Sequence, residues 1–184
     1  SKDQQLSDNP DFFKNDELIL QESNSSGDRT RLFYFYLHGL SLNFILGELE
    51  LATIYTNKIR DYLVAGGGTI AEAILYFYDS LILLFKMEVN FEDNSNYSEE
   101  IKIYLNRIEE NQKNLKLWSE YAGMNHLHRY VLIEAEMFRV SGKFIEASNS
   151  YDRAIELAHK NGFILDEAIA NELAFRFWLG KDKK

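Results

Sequence analysis

His126–Leu179 reads HLHRYVLIEAEMFRVSGKFIEASNSYDRAIELAHKNGFILDEAIANELAFRFWL, and the reading of this stretch decides the fold. Ala135, Phe138, Gly142, Ala147, Tyr151 and Ala154 alternate small, aromatic and turn-forming residues at the spacing of two antiparallel helices joined by a tight turn. Ala135 on the first helix and Ala147 and Ala154 on the second leave nothing beyond Cβ. Two backbones can then approach closely while Phe138 and Tyr151 fill the remaining gap. Gly142 ends the first helix and Lys143 begins the turn. The pattern predicts a helix pair over 126–161, a stop at Asn161-Gly162, and a last helix from Phe163 to Leu179.

The same grammar recurs upstream. Gly47, Leu49 and Ala52 correspond to Gly142, Phe144 and Ala147 at a common separation of 95 residues, and Ala135 and Phe138 return as Ala174 and Phe177, 39 residues on. Further helices are expected from Pro10 to about Glu22, broken by Ser23 to Gly27; from Arg29 to Leu46; and from Leu49 to Leu63. Thr69-Ile70-Ala71-Glu72 has the form of a capping box and opens a helix apolar nearly all round, which belongs in the centre of a stack or under a partner. Glu88 to Ser98 is expected to be the main loop. Glu99 to about Tyr121 is amphipathic, with Ile101, Tyr104, Leu105, Ile108, Leu115 and Trp118 inward and Lys102, Arg107, Glu110 and Lys113 outward. Ala122 to Asn125 is the turn before the final repeat. The fold class expected is all-α, a right-handed stack of seven to eight antiparallel helices with no sheet. It forms one domain over 1–184, in which 1–9 are disordered or vector-derived, 10–97 hold the first helical repeats and 98–184 the last helices.

Composition narrows the function. The chain has 184 residues, 46% of them hydrophobic, and a single Pro leaves long helices uninterrupted. A net charge of −9 with no basic cluster interleaved with aromatics removes the electrostatic footprint of a nucleic-acid binder. Zero cysteines exclude disulfides and thiolate chemistry, and fit a cytoplasmic location. The apolar stretches Leu32–Leu46 and Ala73–Phe85 are too short or too interrupted for a span of roughly 20 apolar residues, so no membrane partner is expected.

With these residues in view a resemblance emerges. LFYFYLHGLSLNFILGELELA (32–52), LYFYDSLILL (75–84), NQKNLKLW (111–118) and the stretch from Met124 to Leu179 resemble the tetratricopeptide-like region of large bacterial, mostly cyanobacterial, multi-domain signalling kinases. In that family a serine/threonine kinase domain precedes a STAND-type ATPase, then this helical region, then usually a GAF domain and a histidine kinase. The resemblance implies an irregular tetratricopeptide-like superhelix, since a step of 39 exceeds the roughly 34 residues of a standard unit. It also implies a scaffold and regulatory role within a signalling kinase. Kinase and ATPase motifs are absent from this segment, so it is not expected to be an enzyme or to hold a cofactor. The alternative is an independent peptide-binding adaptor.

Candidate chemistry is sparse. Gly66-Gly67-Gly68-Thr69 lacks the Lys of a phosphate loop and reads as a helix stop. His126-x-His128 lacks metal-ligand spacing and reads as a turn and helix start. Glu134, Glu136, Asp79 and Glu172 are carboxylates that would serve acid/base chemistry only if brought together. The remaining candidate is an interaction surface: Arg129, Leu132, Glu136 and Arg139 along the concave face expected of a first repeat helix, with Phe177 and Trp178 on the last helix. There, part of the set Ile164, Ala168, Leu173, Phe177 and Trp178 is expected to stay exposed, and either to bring two copies together as a homodimer or to be covered by the protein's own chain. The partners expected are proteins or domains of the same chain.

Overall fold

Helix ends in this chain are set by one glycine geometry used four times. At Gly142 (φ 72°) the Lys143 N–H bonds to the Phe138 carbonyl at 2.9 Å and the Gly142 N–H to that of Arg139 at 3.1 Å, which satisfies carbonyls the helix leaves open. Side chains rarely adopt that left-handed φ, so glycine holds the position. Gly27, Gly47 and Gly162 repeat the same pair of bonds.

The computed structural model describes residues 10–90 and 97–181, with side chains over 18–87 and 99–180. The elements are α1 (Pro10–Ser26), α2 (Arg29–Ile45), α3 (Leu49–Ile59), a 3-10 turn (Arg60–Tyr62), the single turn α4 (Leu63–Gly66), α5 (Ile70–Asn90), α6 (Tyr97–Tyr121), α7 (Gly123–Val140), α8 (Phe144–Lys160) and α9 (Ile164–Lys181). Among the described residues there is no strand, and eight of the helices are longer than one turn. The all-α expectation holds.

Boundaries differ from the sequence reading for local reasons. α1 continues through its serines because Ser25 and Ser26 donate to the carbonyls of Glu22 and Ser23, three residues back, and so stay within the helix. α3 stops at Ile59 rather than Leu63. The Arg29 guanidinium donates to the Asp61 carbonyl and lies 5.1 Å from the Tyr62 ring centroid, in the tightened turn that follows. The turn expected over 122–125 shrinks to Ala122, and α7 begins at Gly123. The capping box is rewired: Glu72 accepts from the Gly68 N–H at 2.9 Å, and Thr69 donates to the Gly66 carbonyl at 2.7 Å. The expected main loop begins inside α5, which runs to Asn90, and residues 91–96 lie outside those described.

The chain divides into two compact units between Glu72 and Ala73, whereas the sequence reading set its internal division at 97–98. In the first unit α2 crosses α3 at Gly39, where an added Cβ would lie 2.2 Å from the Tyr55 ring, so only glycine fits. Phe33, Leu37, Leu40, Ala52, Thr56 and Ile59 are buried there. In the second unit the positions 95 residues on, His128, Leu132, Ala135, Ala147, Tyr151 and Ala154, are also buried. Each unit therefore buries the same register of a helix pair. Ala135, Ala147 and Ala154 are fully inaccessible, as close packing of α7 on α8 requires.

Candidate interaction surface

The α7 face of Arg129, Leu132, Glu136 and Arg139 points into the second unit. Arg129, Leu132 and Glu136 are buried, and Arg139 is partly so. Asp166, in the first turn of α9, receives the Arg129 Nη2 at 2.8 Å and the His128 Nε2 at 2.6 Å on one carboxylate oxygen. The Phe163 ring stacks on His128 at 4.3 Å, and the Arg129 guanidinium lies 5.4 and 5.9 Å from the Phe163 and Phe77 centroids. Removing Asp166 would leave Arg129 as an uncompensated buried charge. His126, one turn earlier, is held below the usual histidine range by burial first, then by the Arg129 charge and His128. His126 and His128 lie at the start of α7, as expected, but past the turn, which ends at Ala122.

Two turns along α7 from Arg129, Glu136 accepts the Tyr151 hydroxyl on one oxygen and the Arg139 guanidinium on the other at 2.7 and 3.0 Å. Burial, then the Glu136 charge, raises the Tyr151 phenol far above its usual range, so Tyr151 remains a donor at any pH the fold survives. The tyrosine that fills the α7–α8 gap also donates a hydrogen bond to the carboxylate beneath it, whose charge Arg139 balances.

The third polar cluster went unread in the sequence. Asp79, 1% exposed in a run of apolar residues on α5, accepts from Arg107 in a two-pronged pair, with Nε at 2.8 Å, and from Asn111 Nδ2 at 2.8 Å. Asn111 also donates to Ser80 Oγ at 3.1 Å. Arg107 was expected to point outward. The signal that locates it was Asp79 itself, because a carboxylate in so apolar a helix requires a cation on the helix packed against it.

The carboxylates considered for acid/base chemistry are each engaged separately: Asp79 with Arg107, Glu136 with Tyr151 and Arg139, Glu134 with the Tyr130 hydroxyl at 2.8 Å, and Glu172 with Arg176 on the surface. Among the described residues no three His, Asp or Glu side chains gather where they would hold a metal ion. No described helix is long and apolar enough to cross a membrane. Gly66 has a packing role, since a Cβ there would lie 2.2 Å from the Phe33 ring.

On α9, Phe177 is buried against Tyr151 and Phe144, with centroids at 5.3 and 6.1 Å, and Leu173 is buried beside it. Trp178 is 48% exposed, and Ile164, Ala168, Phe175 and Leu179 are exposed with it. The last helix therefore divides the expected set between core and surface.

No family model, curated protein or solved structure matches this chain. Its own geometry includes an open recess in the second unit. A cleft of about 320 Å³ runs between α6 and α7, lined by Glu109, Gln112, Lys113 and Lys116 on one wall and Tyr130, Glu134, Met137 and Phe138 on the other. Gln112 Nε2 donates to the Tyr130 carbonyl at 3.2 Å, while its buried Oε1 has no partner. Burial, with a further push from Glu134, raises the Tyr130 phenol to about 12, so its hydroxyl stays protonated and bonded to that carboxylate.

Proposed function

We propose that the chain is a non-catalytic, tetratricopeptide-like interaction and relay module of a multi-domain signalling kinase, acting in the cytoplasm between its ATPase and its sensor and kinase domains. The observation that carries this reading is the buried register repeated 95 residues apart, Phe33, Leu37, Leu40, Ala52, Thr56 and Ile59 against His128, Leu132, Ala135, Ala147, Tyr151 and Ala154. A helix pair reused in one chain is how helical-repeat scaffolds are built. The buried carboxylates of the second unit, Asp79, Glu136 and Asp166, support a role without chemistry, since they are engaged in holding helices together. In this reading the partners are neighbouring domains of the parent protein, and the exposed side of α9, with Trp178, is where two copies associate. The test is co-purification with the protein segments encoded on either side of this one. Capture of kinase or ATPase domains at a stoichiometric ratio is expected. A flanking sequence that encodes neither, or that encodes them without any retention, would overturn the relay role.

A second reading, an independent peptide-binding adaptor, is favoured by the α6–α7 cleft. It is distinguished by binding of a free peptide in the absence of any flanking domain.

A further inference from the structure

The α6–α7 cleft has a direction. Gln112 reaches Tyr130 across it, so the antiparallel walls place Lys113 and Lys116 toward one end and Met137 and Phe138 toward the other, with Glu109 on the apolar side. No ion pair among the described residues uses either lysine. At the middle lies the Gln112 side chain, 8% exposed, whose Oε1 is a buried acceptor without a donor. An acceptor of that kind has lost water without gaining a bond, and a ligand N–H would restore it once the amide turns toward the cleft.

We infer that this cleft binds a short extended peptide segment, in which an acidic side chain meets Lys113 and Lys116, a backbone N–H donates to Gln112 Oε1, and an apolar side chain lies against Met137 and Phe138. Glu109 and Glu134, level with each other on the apolar side of Gln112, repel a second acid there, so the site selects one acid beside an apolar residue rather than an acidic run. A volume near 320 Å³ suits one or two such side chains, at the small end of ligand sites. The inference rests on the reading of the chain as an interaction module and names the partner chemistry for it.

The test is selection of a random hexapeptide library displayed on phage against the intact chain, followed by titration of the most enriched sequence as a fluorescein-labelled peptide. Enrichment of an Asp or Glu within three residues N- or C-terminal to a Leu, Ile or Phe is expected. Lys113→Glu with Lys116→Glu, both at exposed positions, should weaken that peptide at least tenfold, and higher salt should weaken binding to the unaltered chain. Gln112→Leu gives the second readout: affinity should fall while the melting temperature changes little, because loss of the Nε2 bond to the Tyr130 carbonyl is offset by loss of the unpartnered acceptor. No enrichment over the double charge reversal, enrichment of basic peptides, or an affinity that the reversal leaves unchanged would each overturn the site. Those failures leave the relay role intact if the flanking domains still co-purify, so the two proposals fail separately.

Discussion

At the scale of single residues, three buried carboxylates decide where the second unit is rigid. Asp79, Glu136 and Asp166 each hold one arginine, Arg107, Arg139 and Arg129, and Asp166 also bonds the His128 ring. Replacing Arg107 with Met strands a charge on Asp79 and should cost about 3–5 kcal/mol in urea unfolding. Replacing Asp79 and Arg107 together with apolar residues should restore most of that loss. Tyr151→Phe removes one donor from Glu136 but leaves Arg139, and a smaller cost of about 1–3 kcal/mol is expected. His126 supplies a pH dependence. Its folded pKa lies below the unfolded value near 6.5, so the unfolded chain takes up the proton first, and the contribution present above 6.5 is lost as pH falls through the folded pKa. The melting temperature should drop between pH 7.5 and 5, and His126→Gln should make that drop shallower.

At the scale of elements, the helix pair was legible because its signals are local. Ala135, Ala147, Tyr151 and Ala154 announce close packing by size and spacing alone, and Gly142 and Gly162 announce the stops. The sequence was silent where the partner is distant: nothing near Arg107 shows that Asp79 lies opposite, and nothing near His128 shows Asp166, 38 residues on. The face assigned to Arg129, Leu132, Glu136 and Arg139 was placed correctly on one side of α7 by periodicity, but whether that side meets solvent or core depends on α8 and α9. Ala147→Leu tests the packing, since its added bulk has no space between α7 and α8 and should destabilise by about 1–3 kcal/mol. A melting temperature unchanged by that substitution would show the register to be wrong.

At the scale of the whole molecule, the two units offer separate readouts. Gly39→Ala forces a methyl group onto the Tyr55 ring in the first unit. Amide exchange should quicken in α2 and α3 after that change, and Ala147→Leu should do the same in α7 and α8. Trp178→Glu addresses association. If the exposed side of α9 joins two copies, the unaltered chain should sediment as a dimer and the variant as a monomer; a dimer that survives the substitution would place the contact elsewhere.

The glycine stops also govern what lengths of sequence this fold can gain or lose. An α-helix advances by about 100° per residue, so one residue inserted after Ser148 would swing Tyr151 and Ala154 off the α7 face and bring polar neighbours against Ala135. The same insertion at Lys143, beyond the Gly142 stop, leaves both helices in phase and alters only the turn. Copying errors in such a gene are filtered by position: single-codon insertions persist next to the glycines, and inside a helix only whole turns, or a complete helix pair with its stops, survive. The 20-residue step from Gly27 to Gly47, repeated from Gly142 to Gly162, is one helix with its stop, and two such steps, a pair, restore the running direction of the helices that follow.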